Sequence, residues 1–231
     1  MRRRFIRTWL LALTLALAVV GCRAADPQRP VDVAAHTGTI RVACVGDSIT
    51  FGAGIKDRKH NSYPAQLDRM LGEKWDVRNF GVCGATLLKK GNNPYWKRNA
   101  FKHALAFEPH VVIIKLGTND TKPRNWKHKN DFEADCRAMV DRFRDLPTDP
   151  RLFLCRPVPA FSERWGIRDE VVRQGVIPIV NRVAKEKRVG VIDLYEALEG
   201  KKDLFPDTIH PNAEGAGLMA KTIAGVLTGK P

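Results

Sequence analysis

Apolar positions along the chain recur with two different periods, and the switches between them predict an alternation of strands and helices. Residues 40–45 (I-R-V-A-C-V), 75–80, 110–116, 151–156 and 189–194 are short apolar-rich stretches of strand length. The third contains Val111-Val112-Ile113-Ile114, a continuous run of the kind a strand covered on both faces requires. The fourth, R-L-F-L-C-R, is stopped by Pro157 and Pro159. Between these stretches the period lengthens. Residues 62–72 suit a helix with Ser62 as N-cap and Leu67, Met70 and Leu71 along one face. Residues 95–107 place Phe101, Ala104, Leu105 and Phe107 together, and 130–145 do the same for Phe132, Cys136, Met139, Val140 and Phe143, with Asn130 as the expected cap. Residues 168–187 read as a helix that Pro178 kinks or splits, and 211–227 as a last helix with Pro211 in its first turn. Five strands alternating with helices imply a parallel sheet covered on both faces, an α/β fold. Ligands then belong beyond the C-terminal ends of the strands.

The N-terminus departs from this pattern. Arg2, Arg3, Arg4 and Arg7 precede an uncharged run from Trp9 to Val20, which is shorter than the roughly 20 residues a bilayer span needs. Residues 1–21 therefore read as an export signal. Val19-Val20-Gly21-Cys22 resembles a bacterial lipobox, which would make Cys22 a lipidation site, residues 22–38 a tether and 39–231 the folded domain. Cleavage after Ala24 is the alternative and leaves a soluble secreted protein; the R-R-R-F-I-R run also resembles a twin-arginine signal. Localisation on either route is exported, periplasmic or at the outer surface.

Of 231 residues 44% are hydrophobic and 28% charged, which excludes disorder, collagen and a multi-span membrane protein. Without the four leader arginines the formal charge of +14 falls to +10, still basic enough to favour anionic surfaces or substrates. The positive charge is scattered and no aromatic stacking motif accompanies it, so nucleic acid is not an expected partner. There is no C-x-x-C pair and no H-E-x-x-H, hence no expected metal. Cys44 and Cys155 lie in strand runs and Cys136 on a helix face, as buried free thiols do.

Chemistry-bearing residues follow the strands. The first strand runs into Gly46-Asp47-Ser48-Ile49-Thr50, which puts a serine hydroxyl on the turn leaving the sheet. It is not a G-x-S-x-G elbow, because Thr50 holds the second glycine position. The second strand leads into N-F-G-V-C-G-A-T (79–86), whose glycines let backbone approach a ligand with an N–H free to donate. The third leads into Gly117-Thr118-Asn119-Asp120, where Asn119 brings an amide donor. Asp207-Thr208-Ile209-His210 places a carboxylate three residues before a histidine, and a turn there brings the Cα atoms within about 7 Å. Each piece alone is ordinary turn or capping chemistry; four of them at one sheet edge form a constellation. His60, His103, His110 and His128 lack such spacing and read as surface or structural.

These blocks, in this order over residues 46–215, resemble the SGNH (GDSL-type) hydrolases. The resemblance implies a flavodoxin-like three-layer α/β/α sandwich with five parallel strands. It also implies Ser48 as nucleophile, His210 as general base and Asp207 as its orienting carboxylate. The oxyanion hole would comprise the Ser48 and Gly84 backbone N–H groups and the Asn119 amide. A serine needs a base to take its proton, and histidine changes charge near neutral pH, so the reaction asks for no cofactor.

The run G-T-N-D-T-K-P-R-N-W (117–126) looks like that of exported SGNH proteins linked to carbohydrate esters, including sialic acid O-acetyl groups. The expected activity is hydrolysis of short O-acyl esters, acetyl on a glycan foremost. A lysophospholipase or thioesterase is the alternative within the family. A non-catalytic module that binds anionic glycans or surfaces is the alternative of another class. Asp47 and Trp126 are the candidate substrate contacts; Trp126 packed on a helix under a solvated loop is the competing expectation. Arg164 and Trp165, after the fourth strand, could also reach a substrate.

Overall fold

The computed structural model describes residues 26–230. The export signal expected over residues 1–21 and the lipidation site Cys22 lie outside them. Five strands form one parallel sheet in the order β2-β1-β3-β4-β5: β1 Ile40–Gly46, β2 Trp75–Gly81, β3 Val111–Lys115, β4 Arg151–Arg156 and β5 Gly190–Asp193. Five main helices cover it: α1 Tyr63–Leu71, α2 Asn99–Ala106, α3 Lys129–Arg144, α4 Ile177–Lys187 and α5 Ala213–Thr228.

The two faces of the sheet are read directly from alternate residues. Val42 and Cys44 of β1, Val111 and Ile113 of β3, and Phe153 and Cys155 of β4 pack on the side of α1 and α5, against Leu67, Met219 and Ile223. Ala43, Val45, Val112, Ile114, Leu152 and Leu154 pack on the other, against Phe132, Val140 and Phe143 of α3 and Val180 and Val183 of α4. All five residues of β3 are buried, including the charged Lys115. Each such Val, Leu, Ile or Phe contributes about 1.5–3 kcal/mol on burial. Cys44, Cys136 and Cys155 are free and buried within these layers, and desolvation pushes the Cys136 and Cys155 thiols up to about 12.

The chain goes from β1 outward to β2, then crosses back so that β3 pairs with the other side of β1. Crossovers therefore diverge at β1 and β3, leaving a crevice above their C-terminal ends. The loops after these strands meet there.

Several local expectations need correction. Asn130 does not cap α3, which begins at Lys129 after His128; Asn130 sits inside the first turn. The chain is already turning through Pro123–Trp126, so the helix is entered earlier than the apolar pattern shows. Pro211 precedes α5, whose cap is Asn212, its side chain accepting the Gly215 N–H at 2.9 Å. The helix expected over 168–187 is divided beside Pro178, where a π-helical stretch gives way to α4. The proline stands in the first turn of α4, where a missing N–H costs little, and follows the π-helical stretch at Val172–Val176. From Asp26 on, the stretch expected as part of the tether is docked. Gln28 exchanges hydrogen bonds with the Val191 backbone at 3.0 and 3.1 Å, and the Val31 N–H donates to Leu227 O at 2.8 Å. Gln28 thereby covers backbone groups that the edge strand β5 would leave unpaired.

Candidate active site

Ser48 owes its position to the charged residue before it. Asp47 leaves β1 in an extended conformation, and its Oδ1 accepts the Ile49 N–H at 2.9 Å, starting a single helical turn over Ser48–Phe51. Asp47 is fully buried, and both its oxygens lie 3.0 Å from the buried Lys115 ammonium, which also donates to Thr118 Oγ1 at 2.9 Å. The turn presses against the end of β2 so closely that a Cβ on Gly81 would fall 2.2 Å from the Phe51 nitrogen. Asn79 ties the same contact, donating to Thr50 O at 2.8 Å and accepting the Gly81 N–H at 2.9 Å.

The loop after β2 carries Gly84 at φ +76°, a conformation that glycine reaches without penalty. Asp120 holds this loop to the one after β3, accepting the Leu87 and Leu88 N–H groups at 3.0 and 2.8 Å. Desolvation pushes the Asp120 carboxyl up to about 7, against the pull of those two donors. Asn119, beside it and buried, donates one side-chain amide N–H to Ala85 O at 3.1 Å, and its backbone carbonyl accepts from the Asn125 side chain at 2.8 Å. An amide nitrogen has a second N–H, which this leaves available.

His210 arrives on the loop before α5. Asp207 folds that loop on itself, its Oδ1 accepting the backbone N–H of Ile209 at 3.0 Å and of His210 at 2.7 Å. Its Oδ2 lies 2.7 Å from His210 Nδ1, and His210 Nε2 lies 2.8 Å from Ser48 Oγ. A carboxylate only accepts, so Nδ1 carries the proton and Nε2 offers its lone pair to the serine hydroxyl. Burial works to raise the Asp207 carboxyl, but the His210 backbone N–H, the imidazole and the Ile209 N–H outweigh it and hold it below the ordinary carboxylate value. Asp207 therefore stays ionised beside the ring.

Ser48, Gly84, Asn119 and His210 line one cleft of about 260 Å³, together with Lys122 and Trp165. Neither the Ser48 nor the Gly84 backbone N–H donates to another protein group among the described residues. Trp165 is 52% exposed, with its ring centroid 5.3 Å from that of His210. It stands at φ +55°, and the Arg164 guanidinium lies 4.5 Å from its ring centroid.

The two candidate substrate contacts are elsewhere. Asp47 is sealed under the serine turn by Lys115, so no ligand reaches it. Trp126 packs edge-on to Phe132 at 5.6 Å and against Gly175, where a Cβ would fall 2.4 Å from the indole. It borders a separate and larger surface groove of about 710 Å³ with Arg168 and Arg182, which holds none of Ser48, Asn119 or His210. The chemistry of its lining, not its volume, makes the smaller cleft the candidate site. Among the described residues no three His, Cys, Asp or Glu side chains come together as a metal would need.

Two residues with structural leverage on this site have no role in the sequence analysis, Lys115 and Asp120, while Lys122 belongs to the basic run after the third strand and does line the cleft. Lys115 did carry a signal, as a lone charge ending an apolar strand, since a buried ammonium demands a carboxylate partner.

Residues 44–218 match the GDSL-like Lipase/Acylhydrolase family. The chain is 44% identical over 206 residues to an acetylxylan esterase of Xylanibacter ruminicola, an alignment covering 81% of this chain and 43% of that protein. It is 23% identical over 252 residues to a multidomain esterase of Ruminococcus flavefaciens, covering 95% and 32% respectively. The chain thus spans less than half the length of these curated relatives. The fold is shared with Est24, a carbohydrate acetylesterase from Sinorhizobium meliloti, at TM-score 0.65 and 18% identity, over 80% of this chain and 97% of that one. The native M. smegmatis aryl esterase superposes at TM-score 0.63 and 19% identity, with the same coverage.

Proposed function

Because the chain belongs to the GDSL-like lipase/acylhydrolase family, we propose that it is a serine ester hydrolase acting on short O-acyl esters of carbohydrates, acetyl foremost. The observation that carries this reading is the position of His210, 2.8 Å from the Ser48 hydroxyl through one nitrogen and 2.7 Å from Asp207 through the other. A serine so placed can lose its proton to Nε2 as Oγ attacks an ester carbonyl carbon. The oxyanion that forms would be met by the Ser48 and Gly84 backbone N–H groups and the second Asn119 amide N–H. His210 then gives its proton to the departing sugar oxygen, leaving an acyl group on Ser48. A water, deprotonated by the same imidazole, releases the acid and restores the serine. Asp207 contributes by keeping Nδ1–H oriented and by stabilising the imidazolium in each half-reaction.

The size of the cleft favours a small acyl group, and the tryptophan beside His210 favours a sugar, whose C–H face stacks on an exposed indole. The acetylxylan esterase relative and the carbohydrate acetylesterase sharing the fold support the same substrate class. Export rests on the sequence of residues 1–22, with Cys22 as the proposed membrane anchor; an intact mass of the native protein tests it, since a diacylglyceryl-cysteine N-terminus or a cut after Ala24 gives different masses.

The deciding assay compares p-nitrophenyl acetate, p-nitrophenyl octanoate, acetylated xylo-oligosaccharides and a lysophospholipid with wild-type and Ser48→Ala protein. Acetyl esters are expected to be the better substrates, with Ser48→Ala folded and about 10⁶-fold slower. Equal turnover by the variant removes Ser48 from the reaction, and a strong preference for octanoate or lysophospholipid moves the assignment to a lysophospholipase or thioesterase.

A further inference from the structure

Lys122 is a cation without a direct partner among the described residues, and it lines the cleft where the ester must sit. It lines the same cleft as Ser48, Asn119 and His210 and is half-buried. Among the described residues its ammonium forms no ion pair and no hydrogen bond, unlike the neighbouring Lys115, which has three acceptors. Desolvation lowers its pKa and Arg124 nearby adds to that effect; the Asp47 carboxylate, already held by Lys115, opposes them less strongly and leaves the shift downward. The cleft lining includes no Asp or Glu. Arg58, stacked 3.8 Å from the Phe51 ring centroid, and Arg164, against Trp165, add positive charge nearby.

A half-desolvated ammonium without a direct partner, lining the cleft of a reactive centre, is what an anionic ligand group would satisfy. Acetate produced by hydrolysis is one anion that would pass there, but every acetyl ester yields it. A charge carried by the alcohol portion would instead distinguish substrates. Trp165 supplies an apolar wall beside His210 for the sugar ring, and Lys122 supplies the counter-charge. We propose that Lys122 makes the site selective for O-acetyl esters of acidic sugars, binding a carboxylate borne by the sugar while Trp165 stacks on its ring. This rests on the reading that the cleft hydrolyses sugar acetates and adds which sugars it prefers.

The test uses two O-acetylated methyl glycosides of the same stereochemistry, one a hexuronic acid and the other the matching neutral hexose. The ratio of kcat/KM for the acidic over the neutral substrate is measured for wild type, Lys122→Gln and Lys122→Arg, at low and high salt. Wild type should favour the acidic glycoside about tenfold, a factor equal to roughly 1.4 kcal/mol. The difference should lie mainly in KM. Lys122→Gln should bring the ratio close to one, Lys122→Arg should retain most of it, and added salt should erode it in wild type. A wild-type ratio near one overturns the proposal, as does a ratio that Lys122→Gln leaves unchanged because both substrates slow equally. Should Lys122→Gln not fold, the wild-type ratio and its salt dependence still decide. Failure of the folded wild type to hydrolyse either glycoside or p-nitrophenyl acetate is a different result, and it removes the esterase reading itself.

Discussion

The Lys115 ammonium lies 3.0 Å from both carboxylate oxygens of Asp47, with both side chains wholly buried directly beneath the serine turn. Desolvation lowers the Lys115 pKa, while Asp47 is the chief influence pulling it back up. The pair joins the end of β3 to the first residue after β1, the two strands between which the cleft opens. Its role is geometric: it locks the carboxylate that starts the Ser48 turn.

Breaking this pair from one side should be costly. Lys115→Met leaves the Asp47 carboxylate buried without its cation and should destabilise the protein by about 3–5 kcal/mol. Adding Asp47→Asn should recover part of the loss, because an amide needs no counter-charge. Urea denaturation of the two variants checks the order.

Asn119→Ala removes one candidate oxyanion donor and its tie to Ala85. The expected loss in kcat is about 10²–10³-fold with KM little changed. Steady-state kinetics on p-nitrophenyl acetate measures both. A change confined to KM would place Asn119 in ground-state binding instead.

Asp207 links stability to pH in a definite direction. Its pKa is lower in the folded than in the unfolded chain, so its contribution is complete above the unfolded value of about 3.9 and disappears as pH falls through the folded value. The thermal midpoint of wild type should exceed that of Asp207→Asn at neutral pH and converge with it in strong acid. Activity should also fall on acidification, because a protonated imidazole cannot take the Ser48 proton. Full activity near pH 4 would contradict that role for His210.

Gly81→Ala tests the closeness of the serine turn to β2. Its new methyl would meet the Phe51 backbone at 2.2 Å, where no flexible side chain can yield. The variant should lose about 1–3 kcal/mol of stability and a larger share of activity, since the turn that must shift carries Ser48. Chemical denaturation alongside kcat separates the two effects.

Much of the architecture was legible in the sequence. The five strand stretches, the helices between them, and the serine, asparagine, aspartate and histidine blocks could be located because strand alternation, helical period and turn residues are properties of near neighbours. The errors were of two kinds. Boundaries moved where a preceding turn altered how the chain entered a helix, as at Asn130. Roles moved where a side chain's direction depended on distant packing: Trp126 turned away from the cleft to lie on Gly175, and Trp165, with no distinguishing motif, came to stand beside His210.

What the sequence by itself determined is the order and kind of the elements and the set of groups able to do acyl-transfer chemistry. Only the tertiary structure decided which charges have partners: Asp47 found Lys115 across 68 positions, and Lys122 lines the cleft without a direct partner among the described residues. The physical reason is that a period of two or 3.6 residues is written into adjacent side chains. The electrostatic environment of a charge is set by whichever segments the fold brings within a few ångströms of it, and the local pattern contains no record of them.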